Sequence, residues 1–264
     1  EGFYNSWLTY LLPYHGIPCV NYTQMPRMPE DYQRFLEASA NQQIQMWRRM
    51  AVGLILSPAP VWNQVHNDPA LRDWFDLLYA FNVLPDAQGG LQVARSTQAQ
   101  PGQHCILRLK PKADRYALKT PWTVVSDDEA LRRIAASDVA PETGVLVAAE
   151  TADGLPPATP ASATAGGEVK VTLYRPGLVK MTVSAEQPAI LRIAEKFDPA
   201  WRATINGQPA PLRRCDYLFQ GLLVQPGLQE VTLSYDPPMA TFWLAAAGLL
   251  ACAGTALGMG LRAR

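Results

Sequence analysis

Residues able to move a proton, hold a metal or attack a carbon are sparse in this chain, and their spacing builds no reaction centre. His15, His66 and His104 are scattered, with no HxxxH or HExxH among them, so no helix face offers a zinc ion two imidazoles. GxSxG and SxxK are absent, which leaves every serine without the turn or the lysine that would activate it. Gly89-Gly90 and Gly166-Gly167 are isolated pairs, lacking the GxGxxG or GxxxxGK[ST] pattern that cradles a phosphate before a helix. Asp127, Asp128 and Glu129 form an acidic run that could gather a cation. The same three residues follow Ser126 at a helix start, where the dipole favours negative charge, and capping is the reading taken. No metal, no cofactor and no catalytic residue is expected.

Aromatic stacking is the chemistry that remains. Phe197, Trp201, Tyr217 and Phe219 lie near loops, and exposed rings there could stack on sugars; Trp201, Phe197 and Tyr217 are the candidate glycan-binding residues. The competing role for Trp201, at the start of an alternating strand, is a core plug. Cys19, Cys105, Cys215 and Cys252 show no CxxC spacing. A bridge among the first three is permitted in an oxidising compartment, and buried thiols are the alternative. Lys plus Arg and Asp plus Glu both number 23, so the net charge of zero carries no electrostatic footprint for nucleic acid.

The elements that must position these residues can be read from periodicity. After Pro29, the residues Tyr32, Phe35, Leu36, Ser39, Gln43, Met46, Trp47 and Met50 recur close to helical spacing. Asp68-Pro69 reads as an N-cap followed by proline at the first helical position, with Leu71, Trp74, Phe75, Leu78 and Tyr79 as one apolar stripe. Ser126 and Glu129 make a capping box for a helix through Leu131 and Ile134. Strands are expected at Val52 to Leu56, Cys105 to Leu109 and Val145 to Ala149. Thr151 to Gly167, rich in proline and glycine, reads as a linker. Beyond it the period changes to two, in runs such as Val169 to Tyr174, Val179 to Val183, Ile190 to Ala194 and Val231 to Tyr235. Asn206-Gly207 is a type I′ turn signal.

From Met239 to Leu261 the chain carries no charge. As a helix it would measure roughly 34 Å against a hydrocarbon core of about 30 Å. Phe242 and Trp243 stand at one end and Arg262 and Arg264 follow the other, which places the C-terminus in the cytoplasm and all residues before Asp236 outside it. Gly254 and Gly258, with Ala247 and Ala251, would let another helix approach closely. The expected fold is therefore α+β: an N-terminal mixed α/β unit over 1–150, a linker over 151–167, an antiparallel β-sandwich over 168–237 and one C-terminal transmembrane helix over 239–261. A first residue Glu1 with no leader pattern after it suggests a piece of something longer.

The segment Glu195 to Pro238 resembles the C-terminal extracytoplasmic region of bacterial YfhO-type membrane proteins, a family similar to the GT-C glycosyltransferases that use lipid-linked sugar donors. Phe197, Pro199, Trp201, Asn206, Gly207, Pro226, Gly227, Tyr235 and Pro237 fill the family's pattern of an aromatic-x-Pro-Gly-Trp entry, an Asp-Gly turn, a Pro-Ala-Gly turn and a strand ending Tyr-x-Pro. Ala200 replaces the glycine before the tryptophan, Asn206 replaces the turn aspartate, and no alanine separates Pro226 from Gly227. Tyr174 to Gly177 and Val125 to Leu131 resemble further pieces of the family in the same order, and the N-terminal portion is similar only loosely. The resemblance implies an extracytoplasmic accessory region of a multi-spanning, glycosyltransferase-like membrane protein that assists glycan or acceptor recognition in envelope glycosylation. The alternative is a non-catalytic structural or protein-binding module of a membrane-anchored envelope complex. Partners implied are the membrane, the preceding transmembrane helices of the parent, and a glycan or lipid-linked sugar. The family's acidic catalytic loops have no matching positions here, so no catalytic role is carried over.

Overall fold

The computed structural model describes residues 12, 14–20, 28–96, 102–142, 144–157, 165–239, 242–250 and 252. The helical run after Pro29 divides into α1 (Glu30–Ser39) and α2 (Gln43–Arg49). Strand β1 (Leu54–Pro58) and helix α3 (Ala59–Asn67) follow, then β2 (Phe75–Pro85), β3 (Leu91–Arg95) and β4 (His104–Leu109). These four strands make a first, wholly antiparallel sheet in the order β1-β4-β2-β3. One face rests on Ile44, Trp47, Val61, Trp62 and Val65 of α2 and α3, which close over Phe75, Cys105, Leu107 and Leu109.

A second sheet takes β5 (Tyr116–Lys119), β6 (Trp122–Val125) and β7 (Val145–Ala148) from before the proline-rich segment, and β10 (Ala189–Lys196), β13 (Arg213–Cys215) and β14 (Phe219–Val224) from after it. Its order is β5-β10-β14-β13-β7-β6. Helix α4 (Asp127–Ala136) crosses between β6 and β7, the one parallel pair among the described strands. Parallel strands need such a crossover, and every residue of β7 is buried, as suits a strand covered on both faces. The third sheet is antiparallel, in the order β12-β11-β15-β9-β8: β8 (Gly167–Arg175), β9 (Leu178–Ala185), β11 (Trp201–Ile205), β12 (Gln208–Ala210) and β15 (Gly227–Tyr235). Val179, Met181 and Val183 of β9 and Val231 and Leu233 of β15 meet Leu191, Ile193, Leu222 and Val224 of the second sheet in the sandwich core. On the opposite face of the second sheet, Phe35 of α1 and Ala130 and Ile134 of α4 pack with Leu146 and Phe219.

The structure corrects the expected fold class. The chain is mostly β, in three sheets, and the single C-terminal transmembrane helix is not found. Among the described residues no helix is long and apolar enough to cross a membrane. The described helical residues 242–250 cover about 13 Å of the ~30 Å that a hydrocarbon core requires, and residue 252 is helical as well. Gly254 and Gly258 lie outside the described residues. The N-terminal mixed unit and the sandwich also share a sheet, since β10 pairs with β5 and β13 with β7 across the 151–167 segment.

The stripe after Asp68-Pro69 is not a helix. The Asp68 carboxylate accepts a hydrogen bond from the Ala70 amide at 2.8 Å, one 3-10 turn follows at Arg72–Trp74, and β2 begins at Phe75. A bulge against β4 between Leu77 and Tyr79 inserts one residue into the alternation, and that extra residue imitates helical spacing. Ser126 does cap α4, accepting from the Glu129 amide at 3.4 Å.

Close packing in the second sheet leaves one position where only glycine fits. A Cβ on Gly221 would lie 2.3 Å from Cys215 Sγ and 3.0 Å from Ile190 Cγ2, both buried. Gly221→Ala is expected to cost about 1–3 kcal/mol as an overpacked core. Urea denaturation with an unchanged m-value and a lowered midpoint would show it.

Candidate functional site

Two of the three sequence candidates meet at one cleft. Asn206 (φ 51°) and Gly207 (φ 78°) form the left-handed pair that a type I′ turn requires, and the turn folds β12 back onto β11 in the register Ile205 to Gln208. The hairpin and the segments on either side of it enclose a cleft of about 560 Å³ lined by Phe197, Pro199, Trp201, Ala203, Pro209 and Leu212, with Asp198, Arg202 and Thr204 as its polar groups. Trp201 is partly exposed, pairs with Tyr235 across β11 and β15, and lies 5.3 Å from that ring. The entry to β11 is held locally: Ala200 donates to the Asp198 carboxylate at 2.8 Å, Trp201 to the Asp198 carbonyl at 3.0 Å, and Arg202 Nη1 to the Pro199 carbonyl at 2.7 Å. Trp201 packs with Ala203 and Ile205 against the sandwich core, as the core-plug role implies, while Arg202 and Thr204 alternate to the other face of β11; the part of the indole left exposed can stack on an apolar ring face.

Tyr217 is not part of this cleft. It is 4% exposed and packs in the core between the second sheet and the helices. Arg34 and Arg214 approach its ring at 6.0 and 5.4 Å, so its aromatic face serves internal cation–π contacts. Arg214 also pairs with Asp127 at 2.5 Å and Glu150 at 2.8 Å. The acidic run is dispersed in the same way: Asp128 meets Arg34 at 3.0 Å, and hydrogen bonds from Arg132 and Arg133 hold the Glu129 carboxyl down to about 2. Among the described residues no group of His, Cys, Asp and Glu could hold a metal ion.

Three buried charges form a clamp. Asp216 accepts from the Leu146 amide at 3.0 Å and from Arg192 Nε at 2.6 Å, while Arg49 stands 3.9 Å away. Arg192 Nη2 donates to the Arg49 carbonyl at 2.6 Å, its guanidinium lies 4.5 Å from the Phe219 ring, and Arg49 donates to the Val139 carbonyl. Burial alone would raise the Asp216 pKa, but Arg192, Arg49 and the Leu146 amide outweigh it and hold the carboxyl below its ordinary range. Asp216 and Arg49 are each 1% exposed, so no substrate reaches them and the clamp joins α2 to the second sheet. Cys215 is buried and burial pushes its thiol pKa up, which removes it as a nucleophile. A second cleft of about 350 Å³ shares Pro209, Ala210 and Pro211 with the first and contains Arg213. That guanidinium donates to the carbonyls of Thr151 and, at 3.1 Å, Asp153, stapling the start of the proline-rich segment.

One aromatic group escaped the sequence reading. On the face of the first sheet away from α2 and α3, Tyr79 and Phe81 lie nearly parallel, 5.8 Å apart and 28° between planes, and Phe81 lies 5.4 Å from His104. The alternation Tyr79, Phe81, Val83 was the available signal, hidden by the bulge that precedes it. No protein-family model, curated protein or solved structure matches the chain.

Proposed function

We propose that this chain is a non-catalytic glycan-recognition region of a larger envelope protein of the YfhO-like kind that its Glu195–Pro238 segment resembles, with Trp201 as the stacking residue. The observation that supports it is that a partly exposed Trp201 lines the cleft of about 560 Å³ beside Phe197 and Asp198. A sugar needs this combination, because its C–H face is apolar and its rim is a ring of hydroxyls. Recognition at this cleft does not depend on a membrane span at the C-terminus.

Titration of the chain with a panel of oligosaccharides, followed by tryptophan fluorescence and calorimetry, tests the reading. Trp201→Ala should weaken saturable binding by at least about tenfold, or 1.4 kcal/mol, while circular dichroism still reports the native β-rich state. Sugar binding unchanged in Trp201→Ala, or binding to proteins alone, rejects it.

A further inference from the structure

The cover over one end of the second sheet is held differently from the rest of the fold. Trp122 pairs with Val145 across β6 and β7, and Cys215 with Val147 across β13 and β7, so these four side chains share a face, and Ile190 joins them in one buried cluster. Ala152 and Leu155 of the segment 151–157 pack over that cluster. Arg213, two residues before Cys215 on β13, stands on the same face.

The segment is attached through side chains. Its own backbone bonds are local, from Ala152 to the Ala149 carbonyl at 3.2 Å and from Leu155 to the Ala152 carbonyl at 2.9 Å. Among the described residues, Arg213 ties it to the second sheet by donating to the Thr151 carbonyl and, at 3.1 Å, to that of Asp153. The Arg214 amide donates to Thr151 Oγ1 at 3.0 Å, and Trp122 to the Pro156 carbonyl at 3.2 Å. A segment with few buried apolar contacts and no ladder to its neighbours opens at a fraction of the global free energy.

Arg213 loosens the closure further. Arg48, Arg49, Arg192 and Arg213 are all buried, and the first three face Glu142 or Asp216. Arg213 belongs to no ion pair among the described residues, its Nε has no hydrogen-bond acceptor, and the exposed Asp153 attracts it only from beyond ion-pair distance. Closing the segment therefore desolvates a guanidinium against neutral carbonyls, a cost that opening relieves.

We propose that 151–157 is a latch that opens as a unit while the sandwich stays folded, and that its opening uncovers Cys215 and the Arg213 guanidinium. One wall of the smaller cleft moves with it, because Asp153 and Gly154 line that cleft beside Arg213. The latch stands apart from recognition at Trp201, whose cleft shares no residue with the segment among those described.

Alkylation of the whole chain by iodoacetamide in low urea, read at Cys215 by peptide mass spectrometry, tests the latch. Cys215 should react through an opening whose urea dependence is below about half that of global unfolding followed by circular dichroism. Leu155→Ala and Thr151→Val, both within the segment, should each speed that reaction at least about fivefold at unchanged urea dependence. Val231→Ala, in the sandwich core, should lower the global urea midpoint and leave Cys215 alkylation in low urea unchanged, because the region it weakens stays folded when the latch opens. A Cys215 reaction with the full urea dependence of global unfolding, none at all below the unfolding transition, no acceleration in Leu155→Ala, or acceleration in Val231→Ala would each overturn the proposal.

Discussion

Asp216→Ala is expected to destabilise the fold by about 3–5 kcal/mol, because it leaves Arg49 and Arg192 buried without their carboxylate. Arg192 is 4% exposed, and its guanidinium would keep only the Arg49 carbonyl and the Phe219 ring. The Leu146 amide would lose its acceptor as well. Against a total stability of about 5–15 kcal/mol this is a large fraction. Asp216 and Tyr217 also sit at φ 45° and 67° without being glycine, a left-handed pair that the clamp and the Tyr217 contacts hold in place. Chemical denaturation measures the loss, and a change below about 1 kcal/mol would contradict the clamp.

The same residue sets an acid limit. Its folded pKa lies below its unfolded value of about 3.9, so its contribution is fully present above that pH and is lost as pH falls through the folded pKa. The native chain should lose stability from about pH 4 downward, and Asp216→Asn should flatten that part of the curve. An unchanged acid limb in the variant would assign the loss to other carboxylates.

Trp122→Ala is the second large effect, expected at about 3–5 kcal/mol as the loss of a fully enclosed indole. Trp122 packs with Val145, Val147, Ile190 and Cys215, and Ala152 and Leu155 lean on the same cluster. Its indole N–H donates to the Pro156 carbonyl at 3.2 Å, so the ring fastens the start of the proline-rich segment as well as the edge strand β6. Trp122→Phe should retain most of the packing and lose the hydrogen bond, at about 1 kcal/mol. Limited proteolysis at 151–157 should quicken in both variants, more in the alanine; equal rates would show that the segment is held elsewhere.

Much of the sandwich was legible because period two survives in the sequence. β9 alternates buried and exposed residues over Leu178–Ala185, and the Asn206-Gly207 turn has the two positive φ angles that its residue types imply. The Ser126 cap was legible for the same local reason. What escaped was long-range. Nothing near Tyr116–Lys119 signals that it will pair with Ala189–Lys196, because that pairing depends on two apolar faces meeting across the chain. The bulge in β2 disguised a strand as a helix, and with it hid Tyr79 and Phe81. The apolar run at Met239 to Leu261 satisfied a length rule, and its alanines favour a helix, but among the described residues the helix covers only 242–250 and residue 252. Of the candidate site, Trp201 and Phe197 could be read from their loop-flanking positions, whereas Tyr217 is sealed by Arg34 and Arg214, which are far from each other in sequence.

Hydrogen–deuterium exchange of the whole chain with and without a saturating oligosaccharide tests glycan recognition most directly. Binding at the cleft predicts slowed exchange confined to Phe197–Leu212, which at the same oligosaccharide concentration is smaller in Trp201→Ala. Unchanged exchange over those residues at saturation, or the same slowing with the indole removed, would contradict it.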